Sequence, residues 1–137
     1  IVGARGETPD LFKASHDFVE SLPISRLHVF PYSERPGTRA LEIDSPVSQA
    51  EKHRRTQIML RLSEQKLADF TSQFIGTVRP VLPEHLRPGH QMSGFTDNYL
   101  RLMLPPRPDL ANRIVHARLD SVADPVEQTI NATIIEQ

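Results

Sequence analysis

The chain has 137 residues, a formal net charge of -1 and no cysteine. At ~150 residues per domain this length suggests about one domain, and the lack of thiols excludes disulfides, thiol catalysis and thiolate-ligated metal or iron–sulfur sites within this stretch. Near-zero charge argues against a strong non-specific polyanion binder, though not against a local basic patch. Twelve prolines exceed the usual ~5% share, and apolar residues are lean at 38%. Frequent turns, and two small joined units rather than one large core, are expected. No apolar run approaches the ~20 residues of a membrane span, and no secretory leader is visible.

Ile1 and Val2 read as the end of a buried strand running into a glycine turn at Gly3. A two-residue strand has nothing to pair with, so the chain reads as an excised piece of a longer protein. Thr8-Pro9-Asp10 predicts a helix start, with Thr8 as cap, Pro9 at the first position and Asp10 at the positive end. Leu11, Phe18 and Leu22, joined by Phe12 and Val19, form one apolar stripe, and Pro23 ends the helix. Arg26 to Phe30 reads as a short strand closed by Pro31. Strand end, helix and strand make a βαβ unit, part of a parallel sheet or barrel.

Tyr32 to Val47 is turn-rich. Ser48 and Glu51 form a capping box at the head of a long helix reaching about Phe74. Its seam is Leu60, Leu67, Phe70 and Phe74, widened by Met59 and Leu62, and Gly76 supplies the stop. From Thr77 the texture turns to β. Candidate strands are Val78 to Leu82, Phe95 to Leu104, Ile114 to Leu119 and Thr129 to Ile135. Their period-two patterning suits a small closed or nearly closed barrel.

Two loops follow strand ends, where parallel sheets bind ligands. Gly3 to Thr8 reads either as a plain strand-to-helix turn or as a ligand contact, and Pro31 to Thr38 as a structured loop or a ligand edge. Lys52, His53, Arg54 and Arg55 crowd the start of the long helix, where cations are disfavoured by ~0.3–1 kcal/mol. They form either a solvated face or an RNA contact. Histidines at positions 16, 28, 53, 85, 90 and 116 do not fall at metal spacing, so no metal site is expected. No set of residues looks like a complete catalytic site.

IVGARGET (Ile1 to Thr8), LHVFPYSERPGTRA (Leu27 to Ala40) and GFTDNYLRL (Gly94 to Leu102) occur in one order. Together they resemble the methylthiotransferase family of radical S-adenosylmethionine enzymes. The family's first motif commonly carries Phe-Pro where this chain has Ala4-Arg5. The second and third look most like the branch acting on threonylcarbamoyladenosine in tRNA. The resemblance implies a mixed α+β chain. A remnant of a radical SAM (β/α) barrel would occupy 1–47, a connecting helix 48–75, and a small antiparallel OB-like barrel, the TRAM domain, 76–137. It implies a tRNA-modifying parent enzyme in the cytoplasm, using S-adenosylmethionine and two 4Fe-4S clusters, with none bound in this inactive C-terminal fragment. Ile1, Val2, Gly3, Glu7, Val29 and Phe30 would line the cofactor pocket. The expected partner is the tRNA anticodon stem-loop, with no membrane and no DNA. Candidate RNA contacts are Arg79, Tyr99, Arg101, Arg118, Lys52, Arg54 and Arg55, within a segment that also holds Arg87, Arg107 and Arg113. The alternatives are a fragment of the enzyme that methylthiolates a ribosomal-protein aspartate, or a non-catalytic RNA-binding β-barrel module.

Overall fold

The computed structural model describes residues 1–85 and 91–135. Arg87 and His90 lie outside them. The chain divides into two compact units, Ile1–Lys66 and Leu67–Gln137, and the division falls inside the long helix.

In the first unit, helix α1 (Pro9–Ser21) is capped as its sequence dictates: the Thr8 hydroxyl accepts from the Leu11 N–H at 3.2 Å. Its far end is held by Lys66, whose ammonium donates to the carbonyls of Glu20 and Leu22 at 2.7 and 2.8 Å, a cation at the negative helix end. The buried face carries Phe12 and Val19. Leu11 and Phe18, expected in the same stripe, are 56% and 64% exposed. They sit one residue, about 100°, round the helix from Phe12 and Val19, and only one of these faces finds a partner in the unit.

The expected strand Arg26 to Phe30 is extended but forms no ladder among the described residues. A single parallel bridge joins Val2 to Pro31. The Val2 N–H donates to the Phe30 carbonyl at 3.0 Å and the Tyr32 N–H to the Val2 carbonyl at 2.7 Å. Leu27 turns its backbone to a side chain instead. Its N–H donates to the Ser63 hydroxyl at 2.9 Å, and that hydroxyl faces the Leu27 carbonyl at 3.3 Å. Serine thus meets the polar demand a neighbouring strand would otherwise satisfy.

Helix α2 (Gln49–Ser72) realises half of the expected capping box. The Ser48 hydroxyl accepts from the Glu51 N–H at 3.2 Å, while the Glu51 carboxylate goes to Arg54 and Arg55. Within the first unit α2 buries Met59 and Leu62 against Val2 and Phe12; Leu60 is half-buried.

In the second unit the end of α2 and the turn after it place Phe70 and Phe74 edge to face, centroids 4.9 Å apart, against the barrel core. Five strands close in the order β1 (Val78–Pro83), β2 (Met92–Thr96), β3 (Arg101–Leu104), β5 (Thr129–Ile135), β4 (Val115–Asp124). Four of the five pairings are antiparallel, but β3 and β5 run parallel, which corrects the purely antiparallel expectation. Val81, Met92, Leu100, Leu102, Ala117, Leu119 and Ile130 fill the interior, so the alternation marked the correct faces of β3 and β4. The single strand expected over Phe95 to Leu104 is two strands separated by a turn. Gly94 lies opposite Pro83, and a Cβ there would stand 2.9 Å from the Leu82 carbonyl oxygen and 3.1 Å from Pro83 Cα. Among the described residues no helix is long and apolar enough to cross a membrane.

Phe70 and Phe74 are half-buried, so each truncation costs less than the ~3–5 kcal/mol of a fully buried phenylalanine. Phe70→Ala and Phe74→Ala each lower stability by about 1–3 kcal/mol in chemical denaturation. The double mutant shows ~0.5–1.5 kcal/mol of coupling from the ring pair. Additive single losses would show that the rings act independently.

Candidate functional site

In the first unit the glycine turn is bound to α2 by a buried arginine. Gly3 has φ +77°, and a Cβ there would collide with the Lys52 side chain. Its N–H donates to Glu7 Oε2 at 2.6 Å. The Arg55 guanidinium donates to the Glu7 carbonyl at 2.7 Å and to Glu51 Oε1 at 2.7 Å, and lies 3.3 Å from Glu7 Oε1. It also covers the Phe12 ring at 5.3 Å. A charge this deeply placed persists only when each donor is met.

These contacts involve two of the expected RNA residues. Arg55 and Lys52 are 2% and 5% exposed, and Lys52 reaches the Tyr32 ring, 5.3 Å from its centroid. Both are engaged within the first unit. Arg54 is exposed, with two nitrogens on the Glu51 carboxylate at 2.8 Å each. Hydrogen bonds from Arg54, and then from Arg55, pull the Glu51 pKa from 4.5 to about 2.

Of the six expected cofactor residues, Ile1, Val2, Glu7 and Val29 border one cavity of about 210 Å³ with Phe12 and Met59. Val2 and Gly3 are buried, the Gly3 N–H is committed to Glu7, and Val29 is half-buried. Ile1 and Phe30 are exposed and border one open cavity of about 460 Å³ with Tyr32, Ser33, Arg35 and Thr38. Arg5, standing where the family form has proline, braces the loop beyond: its guanidinium donates to Glu34 Oε1 at 2.7 Å and to the Ile43 carbonyl at 3.1 Å. His16, Asp17 and Glu20 cluster on α1, but Lys13 and His16 already partner Asp17.

In the second unit Thr96, Asp97, Asn98 and Tyr99 build the β2–β3 turn. The buried Thr96 hydroxyl accepts from the Leu100 N–H at 2.9 Å and donates to Asn98 Oδ1 at 2.5 Å. Asp97 takes both arms of Arg79 at 2.8 Å, and that bond holds its carboxyl below the usual range. Tyr99 has φ +65° and is 87% exposed. A non-glycine residue held left-handed is uncommon and concentrates at functional sites. Tyr99 lies in the turn ahead of β3 (Arg101–Leu104), so strand alternation does not fix its direction relative to Arg101.

Arg118 donates to Asp120 at 2.7 Å, and Arg79 also covers the Phe74 ring at 5.1 Å. Arg107 pairs with Asp109. Arg101 is exposed and has no ion pair among the described residues. One residue escaped sequence reasoning: Phe95 lies opposite Arg101 on the outer face, 38% exposed. Its signal was an aromatic on the outward parity, between buried Gly94 and Thr96.

No protein-family model matches the chain. The threonylcarbamoyladenosine tRNA methylthiotransferase MtaB of Bacillus subtilis is 29% identical over 99% of this chain and 31% of its own length. The tRNA-2-methylthio-N(6)-dimethylallyladenosine synthase of Aliarcobacter butzleri is 30% identical over 89% of this chain and 28% of its own. That of Pelobacter propionicus is 37% identical over 72% of this chain and 22% of its own. The chain belongs to the radical SAM methylthiotransferase family. It spans under a third of the length of these relatives. In this family member the three motifs become a glycine turn locked to α2, a loop braced by arginine, and a β2–β3 turn that exposes a tyrosine.

The Glu51 pKa is depressed on folding, so its contribution is complete above the unfolded value of 4.5 and disappears as pH falls through about 2. Thermal midpoints should therefore fall across that window. Glu51→Gln should start lower at neutral pH and vary less between pH 4.5 and 2. An unchanged acid profile would show that Glu51 does not govern this unit.

Proposed function

We propose that the chain is part of a cytoplasmic tRNA methylthiotransferase that places a methylthio group at C2 of N6-threonylcarbamoyladenosine beside the anticodon. The observation carrying this reading is the match to the Bacillus subtilis protein, named for threonylcarbamoyladenosine, along 99% of the chain. Relatives named for dimethylallyladenosine align over 89% and 72%, which makes that nucleoside the second reading. Segment 1–47 is taken as part of a radical SAM barrel, 48–75 as the helix leading out of it, and 76–137 as a TRAM domain.

The residues present fit one of the two cofactor types. With no cysteine, this chain offers no thiolate to the two 4Fe-4S clusters, which other parts of the parent would hold. The open wall of Ile1 and Phe30 suits a planar base, so these two, with Val29 behind them, would pack on the adenosine of S-adenosylmethionine. That cofactor supplies the radical and the methyl group when bound. Glu7, Gly3 and Val2 act indirectly, by fixing the turn that carries Ile1. The wall excludes water and orients, and no proton transfer is assigned to it.

The barrel is read as the module holding the anticodon stem-loop, with Arg101 on phosphate and Tyr99 on an unpaired base. Arg79 and Arg118 are less available, each tied to an aspartate. Arginine suits this task through its planar, bidentate guanidinium.

Two measurements test the reading. Grafted in place of the matching stretch of the Bacillus subtilis relative, the chain should restore 2-methylthio-N6-threonylcarbamoyladenosine to tRNA, read by nucleoside mass spectrometry in cells lacking their own enzyme. Appearance of the dimethylallyl product alone would favour the second reading. In stem-loop titrations at two salt concentrations, Arg101→Ala should weaken binding and flatten the salt slope by about one phosphate. Tyr99→Ala should weaken it by ~1–3 kcal/mol at unchanged slope. If both variants bind as wild type does, the barrel is not the RNA module.

A further inference from the structure

Strand register places Leu82 opposite Phe95 and Phe95 opposite Arg101. All three are exposed, while their chain neighbours Val81, Thr96 and Leu102 are buried. One step beyond the Val81–Val115 pair, Ile114 joins the row at 75% exposure. Directly opposed residues lie ~4.5–5.5 Å apart at Cβ, so β1, β2 and β3 carry a continuous apolar strip ending in a cation.

We propose that this row is a platform for an unpaired nucleotide, with Phe95 stacking the base between Leu82 and Arg101 while the Arg101 guanidinium meets the adjoining phosphate. The proposal rests on the RNA reading above and adds the residue that recognises the base and the form of RNA it takes. Every base has a π-face, so stacking on Phe95 tolerates sequence, but a base buried inside a helix cannot reach it.

Charge fixes the direction of approach. Glu84, two residues beyond Leu82, accepts from the Ser93 hydroxyl at 2.6 Å and lies to one side of the row. A cavity of about 610 Å³ on that side is walled by Glu84, Asp124 and Glu127 as well as Arg101. Carboxylates there repel a phosphate. The other side carries Tyr99, and Asp97 is neutralised by Arg79. The strand therefore enters from the β2–β3 turn, across Tyr99 and onto Phe95. A folded protein partner fits less well, because a row four residues long is far short of the ~800 Å² per side of a stable protein interface.

The test uses a ten-nucleotide RNA carrying 2-aminopurine, single-stranded or annealed to its complement, titrated into the whole chain. Wild type should quench the fluorophore in the single strand and bind the duplex more weakly. Phe95→Leu keeps an apolar side chain but loses the π-face. It should weaken single-strand binding at least about 5-fold, the low end of one stacked base, and abolish quenching. Phe95→Tyr should stay within about twofold of wild type. If Phe95→Leu binds and quenches as wild type while Arg101→Ala binds less well, the platform is wrong and the RNA reading survives. If neither variant changes binding, both fall. Should Phe95→Leu lose its fold by circular dichroism, the wild-type signal decides: no quenching on saturation overturns the platform.

Discussion

Closure of a very small barrel is the constraint on which the second unit depends. β3 has four residues and β2 five, too few to survive as a sheet with open edges. Each strand is therefore paired on both sides, with β1 meeting β4 and β3 meeting β5. The interior holds a single layer of Val, Met, Leu and Ile, several of them fully buried. So narrow a cylinder forces close backbone approaches, which is why Gly94 has no room for a side chain. β2 returns as β3 through a turn without glycine, and there Tyr99 takes the left-handed conformation. The Thr96 hydroxyl makes this possible by satisfying the Leu100 N–H. The turn that joins the two shortest strands is thus the turn that exposes the tyrosine.

Much of the barrel could be read from the sequence, because outward and inward residues alternate on β3, over Val115 to Leu119 of β4 and from Ile130 onward in β5. The β2–β3 turn could not. Thr96 to Tyr99 contains no glycine or proline, and Leu100 keeps the parity of Leu102 and Leu104, so the period-two pattern runs unbroken through a reversal of the chain. Helix α1 shows a different limit. Leu11 and Phe18 repeat at the same spacing as Phe12 and Val19, and periodicity alone cannot say which face finds a partner. The charged head of α2 was illegible for a third reason. Lys52 and Arg55 look like a solvated basic cluster because the group that buries Arg55 is Glu7, 48 residues away. Of the candidate cofactor residues, the apolar character of Ile1 and Phe30 was visible. The commitment of Gly3 and Glu7 to each other was not, since it depends on a side chain folding back on its own turn.

The first unit compensates for its sparse sheet pairing with side-chain hydrogen bonds. One parallel bridge is all that joins Val2 to the segment ending at Pro31. Ser63 satisfies Leu27, Lys66 satisfies the end of α1, and Arg55 satisfies Glu7 and Glu51. All three side chains lie on α2, which acts as a spine of polar anchors as much as an apolar seam. This arrangement is more exacting than an apolar one, because removing one partner leaves another buried and unpaired.

Arginine serves opposite ends in the two units. In the first, Arg55 is drawn inward and its charge is consumed by structure. On the barrel, Arg79, Arg107 and Arg118 remain near the surface but each is paired with an aspartate. Pairing suppresses the diffuse positive field that would draw any polyanion, in keeping with the chain's net charge of -1. A surface so balanced gains little from long-range attraction to nucleic acid. Under the RNA reading proposed above, affinity comes from short-range contacts that demand one orientation: the Arg101 cation, which has no ion pair among the described residues, an aromatic face at Phe95 beside it, and a tyrosine held outward by the turn. Weak attraction with strict geometry is what the proposed role requires, since a module that positions one nucleotide of a folded RNA must select by orientation rather than by charge.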